Sequence, residues 1–248
     1  MKKHLIIAAM DSEFSELVKA DGFTCRTLPQ TDVVLWERSR GRSKITVAKT
    51  GVGPISAAMI LTQILSEATY TDVLLLGLGG GLDSRLTVGD VVIADRVIQH
   101  DAICTFDDRT EIMACGDLHL SLAPEKRKSI FMMPDQSLNI KYHEHLSEQS
   151  FQVFQGDLLS GSEFVGALER KNNLKSRFPT ATLVDMEACA VAYICTHRKI
   201  PFAVVKTVAD TLHPQASRQY LDYVQSSAQK CVELISFLEN SKNAESAQ

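Results

Sequence analysis

The chain predicts an α/β fold: one domain on a mixed or parallel sheet covered by helices on both faces. Three observations carry this. Short apolar runs alternate with helix-period stretches along most of the length. The runs LLL at 74–76 and FAVV at 202–205 are continuously apolar, as strands with both faces covered require. Finally, 248 residues without an internal repeat or a linker suit one large domain. A chain of that length buries roughly three quarters of the surface it exposes when unfolded.

Taken in chain order, residues 4–9 (HLIIAA) read as a strand and 11–20 as a helix with Phe14, Leu17 and Val18 on one face. Runs at 33–37 and 44–50 alternate like a hairpin around the polar SRGRS, with Trp36 as a packing or interface residue. Gly51-Val-Gly-Pro54 is a turn, and Pro54 suits the first position of a helix to about 68. Strands are expected at 72–77 and 89–95. Residues 104–150 are weakly patterned and polar, a surface excursion with a helical piece at 118–128. Then come a strand at 151–159, a turn at 160–162, a helix at 164–177 and a strand at 182–184. A nearly all-apolar helix at 186–197 precedes a buried strand at 202–209. An amphipathic helix at 219–240 closes a domain of residues 1–240, and 241–248 is a disordered tail.

Composition excludes several functions. Apolar residues are 45% and charged ones 23%, ordinary for a soluble globular protein. A net charge of −4 leaves no basic excess for a nucleic-acid backbone. No stretch reads as a membrane span, and the apolar LIIAAM near the start is no signal peptide. The six cysteines include no CxxC pair. Cys189, Cys195 and Cys231 lie in apolar helical contexts, as small core residues of a reducing cytoplasm do. His143-Glu144-His145 shows no third metal ligand, so no metal is expected.

The segment LLLGLGGGLDS at 74–84 resembles the start of a dinucleotide site, but it fails that test twice. The third glycine position of G-x-G-x-x-G is Leu82, and the chain then enters the strand GDVVIA rather than a helix. A nicotinamide oxidoreductase is thereby disfavoured. The glycines serve either close approach of another ligand or tight packing.

Three acids stand at strand ends: Glu13 after 4–9, Glu187 after 182–184, and Asp210 at the end of 202–209. Ligands of open α/β sheets bind outside those ends. Acids in apolar sequence are rarely buried without a partner or a task. Asp11 and Asp185 are read as helix caps. Together with the glycine-rich strand end, the three acids point to a polar pocket suited to glycosyl transfer or hydrolysis. In such chemistry one acid protonates the leaving group, a base prepares water, and a third carboxylate holds sugar hydroxyls.

IIAAMDSE, KTGVGPISAA, GLGGGL followed by TVGDVV, LLSGSEF, VDMEACAVA and VVKTVAD resemble, in order, the motif series of the nucleoside phosphorylase and nucleosidase superfamily. Within it they resemble the 5′-methylthioadenosine/S-adenosylhomocysteine nucleosidases. The resemblance covers residues 4 to about 236, with 104–150 poorly matched. It implies a three-layer sandwich with a mixed central sheet, no cofactor, and a cytoplasmic homodimer that hydrolyses 5′-thio-substituted adenosines and releases adenine. It places Glu13 as the base that activates water and Asp210 as the acid that protonates the purine at N7. Met186 and Glu187 match the ribose grip, Phe164 the aromatic that stacks on adenine, and Val165 the backbone that reads its edge. Tyr220 falls where an aromatic, usually Phe, lines the far end. Val52 and the stretch from Cys104 to Phe106 match walls of the alkylthio pocket, lent in part by a neighbouring subunit. The glycines, Gly79 among them, let backbone approach the sugar.

This sequence departs from the family pattern at four positions. Leu78 replaces a serine near the nucleophilic water, and Lys206 an arginine near that water. Ser162 replaces an aspartate, and Ala209 a serine beside the acid. Three other readings stay open. A phosphorylase would need cations, yet 10–13 and 77–81 hold no Arg or Lys. Hydrolysis of futalosine or 6-amino-6-deoxyfutalosine would differ only at the 5′ pocket. A non-catalytic nucleoside-binding relative would lack one of the three acids, and all are present. His100-Asp101 is read as a structural turn and His213-Pro214 as a solvated loop.

Overall fold

The first strand, β1 (Lys2–Ala8), sends Leu5 and Ile7 into one core and Ile6 and Ala8 into another, and all four are fully buried. A strand buried on both faces needs a helical layer on each. On one side α2 (Pro54–Glu67) contributes Leu61 and Ile64, and α5 (Ala188–Arg198) contributes Val191 and Cys195. On the other side α1 (Asp11–Lys19) contributes Phe14 and Leu17, and α3 (Gln136–Glu148) contributes Tyr142 and Leu146. A third cluster joins Leu82, Ile98 and Leu159 to Leu174 of α4 (Leu168–Arg177). The result is a three-layer α/β/α sandwich. It is seen in a computed structural model that describes residues 1–19, 22–118, 124–148, 152–213, Arg218, Tyr220, Leu221 and Tyr223.

The main sheet is mixed. Its other strands are β2 (Thr24–Thr27), β3 (Val34–Arg40), β4 (Ser43–Lys49), β5 (Asp72–Gly81), β6 (Val91–Gln99), β9 (Phe131–Met132), β10 (Val153–Ser160), β11 (Ala181–Asp185) and β12 (Phe202–Asp210). The order is β11-β10-β6-β12-β5-β1-β4-β3-β2, with β9 added to β6. β5 lies parallel to both β1 and β12, and β12 runs antiparallel to β6. The far end of β5 also pairs antiparallel with β11, Gly80 opposite Val184 and Gly81 opposite Leu183. Half the sheet thus curls into a closed ring of β5, β12, β6, β10 and β11. A small separate hairpin joins β7 (Ile103–Thr105) to β8 (Thr110–Ile112).

Local chemistry accounts for several boundaries. Pro54 opens α2 behind Gly53, whose φ of 96° favours glycine. Lys199, in the left-handed region, ends α5 by donating its amide to the carbonyls of Cys195 and Thr196. Elsewhere the elements depart from what periodicity predicts. The strand expected at 72–77 runs on through the glycines to Gly81, because β11 and β12 both pair with that end. The strand expected at 89–95 is Val91–Gln99. The helix expected from 164 begins at Leu168, leaving 163–167 as an irregular segment.

The stretch 104–150 is more than an excursion, since α3 belongs to the helical layer. Its apolar contacts, Leu138, Tyr142 and Leu146, recur every four residues but are too few to stand out from polar neighbours. Of the piece expected at 118–128, Pro124–Lys126 is a single 3-10 turn, and 119–123 lie outside the described residues. So do Cys231, the tail at 241–248 and most of the helix expected at 219–240, although Tyr220, Leu221 and Tyr223 are helical. Trp36 packs against Phe14, with ring centroids 5.1 Å apart. No helix among the described residues is long and apolar enough to cross a membrane. Because Leu146 is fully buried, Leu146→Ala is expected to cost about 2–5 kcal/mol in urea unfolding. A cost under about 0.5 kcal/mol would return this helix to the surface.

Candidate active site

An open cleft of about 530 Å³ lies at the carboxyl ends of β1, β5, β11 and β12. It brings together Glu13, Val52, Leu78, Gly79, Phe164, Val165, Met186, Glu187, Asp210 and Tyr220. Two of the expected site residues are placed elsewhere. Cys104 is buried on β7 with its Sγ 2.8 Å from Met113 Sδ and does not line this chain's cleft. Lys206 is 1% exposed and sits behind the cleft wall.

Glu13 comes from the first turn of α1, where the helix N-terminus favours an anion. It is buried, and both oxygens are used. Oε2 accepts the Met10 amide at 2.8 Å and Oε1 the Leu78 amide at 2.9 Å. Glu187 accepts the Gly53 amide at 3.0 Å. Lys206, on β12, joins the acids. Its Nζ lies 2.9 Å from Asp185 Oδ2 and 3.4 Å from Glu187 Oε2, and its charge also acts on Glu13. Asp185 therefore does more than cap α5, although it accepts the Ala188 amide at 3.2 Å as a cap would.

Asp210 ends β12 at 1% exposure and is ion-paired with Lys171, a residue the sequence reading overlooked. Lys171 stands on α4, whose sequence LERKNNLKSR is almost wholly polar. One signal was available: Lys171 lies three residues before Leu174, so the two share a helix face, and both are buried.

The glycines of β5 make room for these groups. At Gly77, with φ of 146°, an added Cβ would lie 2.6 Å from Glu13 Oε1 and 3.2 Å from Lys206 Nζ. At Gly80 it would lie 3.0 Å from Asp210 Oδ1 and 3.2 Å from Lys171 Nζ. One strand thus passes two buried places where a carboxylate and a lysine come close, three residues apart, roughly 10 Å of backbone.

Burial raises the proton affinity of Glu13, Glu187 and Asp210 above that of ordinary carboxylates. Lys206 opposes this at the first two and Lys171 at Asp210. Burial also pulls Lys206 down, but Asp185, Glu187 and Glu13 outweigh it and the ammonium is held protonated. Four carboxylates against two lysines leave this wall short of positive charge, so it favours a retained proton and a cationic guest.

Aromatic groups form the rim. Phe164, half exposed on the irregular segment after β10, meets Tyr220 edge-on with centroids 5.1 Å apart. The Tyr220 hydroxyl donates toward Met10 Sδ at 3.9 Å, and burial beside the carboxylates pushes it up to about 12. Asp101 holds the preceding turn by accepting the Ser162 amide at 2.7 Å, the structural task expected of it.

Lys206→Met leaves three buried carboxylates unpaired and is expected to cost about 3–5 kcal/mol near neutral pH. Lys206 lowers the pKa of Glu13 and Glu187. Burial holds both acids above their ordinary 4.5 in the folded protein, so the loss should be full above those raised values and shrink as pH falls through them. Denaturant melts of both proteins at several pH values check this, and a deficit that does not vary with pH would contradict it.

The phosphorylase superfamily model matches residues 3–238. The 5′-methylthioadenosine/S-adenosylhomocysteine nucleosidase of Staphylococcus epidermidis is 26% identical over 233 residues, 94% of this chain and 97% of that protein. The Helicobacter pylori nucleosidase of the same name, solved with butyl-thio-DADMe-Immucillin-A, superposes with a TM-score of 0.80 at 26% identity, covering 97% and 98% of the two chains. The futalosine hydrolase of the same organism superposes with a TM-score of 0.79 at 26% identity, covering 94% and 95%. Matched along nearly its whole length, the chain belongs to the phosphorylase superfamily.

Proposed function

We propose that this protein hydrolyses the N-glycosidic bond of 5′-thio-substituted adenosines, methylthioadenosine and S-adenosylhomocysteine, and releases adenine. One observation carries the reading: two buried acids, Glu13 in the field of Lys206 and Asp210 ion-paired with Lys171, flank a single glycine-rich strand in one cleft. Glu13, ionised and oriented by two amides, takes a proton from water as it attacks the anomeric carbon. Asp210, protonated, gives its proton to the purine so that the base leaves neutral. Glu187 binds ribose hydroxyls, and the excess of carboxylates stabilises the oxocarbenium charge between them. Met186 packs on the sugar, Phe164 stacks on the base, and the backbone of Val165 faces the base edge. Val52 lines the alkylthio pocket, Tyr220 the far end of the nucleoside, and Leu78 the wall near the attacking water.

Hydrolysis is favoured over phosphorolysis because no Arg or Lys is among the described residues lining the cleft. Lys206 is already engaged by carboxylates. A second reading, futalosine-type hydrolysis, is supported by Tyr220, whose hydroxyl offers a 5′ substituent a hydrogen bond that phenylalanine lacks. On this reading the protein works in the cytoplasm, in methionine salvage, as a homodimer. The exposed Val52, Ile55 and Met59 at the start of α2 supply an apolar face for a second subunit.

Adenine release from methylthioadenosine, S-adenosylhomocysteine and 6-amino-6-deoxyfutalosine, with and without phosphate, tests the reading. Release independent of phosphate is expected, and strict phosphate dependence would establish phosphorolysis instead. Glu13→Gln and Asp210→Asn should each lower kcat on the order of 10²–10⁴-fold. With Glu13 raised above 4.5 and Asp210 above 3.8, the rate should be bell-shaped in pH. It should fall in acid as Glu13 gains a proton and in base as Asp210 loses one. A rate flat with pH would refute these assignments.

A further inference from the structure

Lys171 is fully buried on a helix whose other side chains, apart from Leu174, are exposed or only partly buried. A buried ammonium is costly, and a well-packed apolar side chain is often no less stable in its place. Its surroundings indicate what it does there. The three N–H donors meet three acceptors: Asp210 Oδ1, the Gly81 carbonyl at 3.3 Å and the Thr211 carbonyl at 3.2 Å. All three lie at the ends of β5 and β12, where Asp210 enters the cleft. The ammonium is therefore fixed in direction as well as position.

We propose that Lys171 is a positioning residue for Asp210: its ammonium pins Oδ1, leaves Oδ2 to carry the proton to the purine, and holds the carboxylate that remains. This rests on Asp210 being the acid of an N-glycosidic cleavage. In that step the Oδ2 proton passes to the purine nitrogen, the electron pair of the C1′–N bond passes to the base, and Asp210 is left anionic while Lys171 keeps its proton. Burial and the lysine act in opposite directions. Burial favours the protonated form of Asp210, but alone it would make the carboxyl reluctant to give the proton up. Lys171 opposes it and stabilises the anion as it forms. With Oδ1 engaged, the two oxygens are inequivalent, and one of them is the donor.

The test compares wild type, Lys171→Met and Lys171→Arg on two substrates across the pH range. Methylthioadenosine needs its leaving base protonated, whereas p-nitrophenyl 5-methylthioriboside has a leaving group that departs as an anion. Lys171→Met should lower kcat for methylthioadenosine on the order of 10²-fold with KM little changed. It should keep the nitrophenyl rate within a few-fold. The basic limb of its pH profile should move to higher pH, because Asp210 without the cation holds its proton more tightly. Lys171→Arg should recover most of the loss. Equal losses on both substrates, or an unmoved basic limb, would overturn the proposal.

If Lys171→Met does not fold, nuclear magnetic resonance of the wild type decides. The Asp210 carboxyl carbon, assigned with Asp210→Asn, and the Lys171 ammonium nitrogen should report one shared titration, and independent titrations would overturn the proposal. A wild type that cleaves no nucleoside removes the hydrolase reading and this proposal together. An active wild type with a flat response to Lys171→Met removes only the latter.

Discussion

A single buried cation, Lys206, organises the inner wall of the cleft. Three carboxylates share its field: Asp185 and Glu187 in contact, Glu13 at longer range. Without it the acids would repel one another and be driven toward their neutral forms, since burial already raises Glu13 and Glu187. With it, Glu187 can remain an acceptor for hydroxyls and Glu13 a base. The acids belong to different elements: α1, the end of β11 and the start of α5. The lysine, on β12, is what they have in common, and their meeting at one ammonium fixes how those elements converge.

The glycine-rich end of β5 is the complementary constraint. A strand flanked by Glu13 and Lys206 at one glycine and by Asp210 and Lys171 at another cannot carry side chains toward them, and Gly77 and Gly80 supply that room. The same end also pairs with both β11 and β12, closing half the sheet into a ring. Packing and chemistry thus ask the same thing of these positions. The glycines therefore cannot be sorted into structural and functional ones.

The central strands were legible because burial on both faces writes continuous apolar runs. β1, β5, β12 and the helices α1, α2 and α5 lie close to where periodicity put them. α3 was not, because its contacts with the core rest on Leu138, Tyr142 and Leu146 within a polar sequence. Glu13, Glu187 and Asp210 stood out as acids in apolar surroundings, and strand-end logic was enough to gather them. Lys171 and Asp185 did not stand out, for opposite reasons. Lys171 is one charge among many on a polar helix, so its burial becomes visible only when α4 is laid over β5 and β12. Asp185 had an adequate explanation as a cap, and the capping contact exists alongside the ion pair.

Leu78 shows how such a site tolerates change. Its amide, not its side chain, holds Glu13 Oε1. Any residue that lets the strand keep its path supplies that donor, so the base is oriented by the backbone whatever stands at 78. The side chain, lining the cleft, is free to alter the surface presented to substrate. The isobutyl group there presents apolar area to the cleft without disturbing the acids. The replacement of arginine by Lys206 obeys a different rule. A point charge serves Asp185 and Glu187 from one nitrogen, whereas a guanidinium would spread its donors over a fork. At Leu78 the backbone performs the fixed task, and at Lys206 a single nitrogen performs it. The departures that touch the acids change how they are held, and those that face the cleft change what is held beside them.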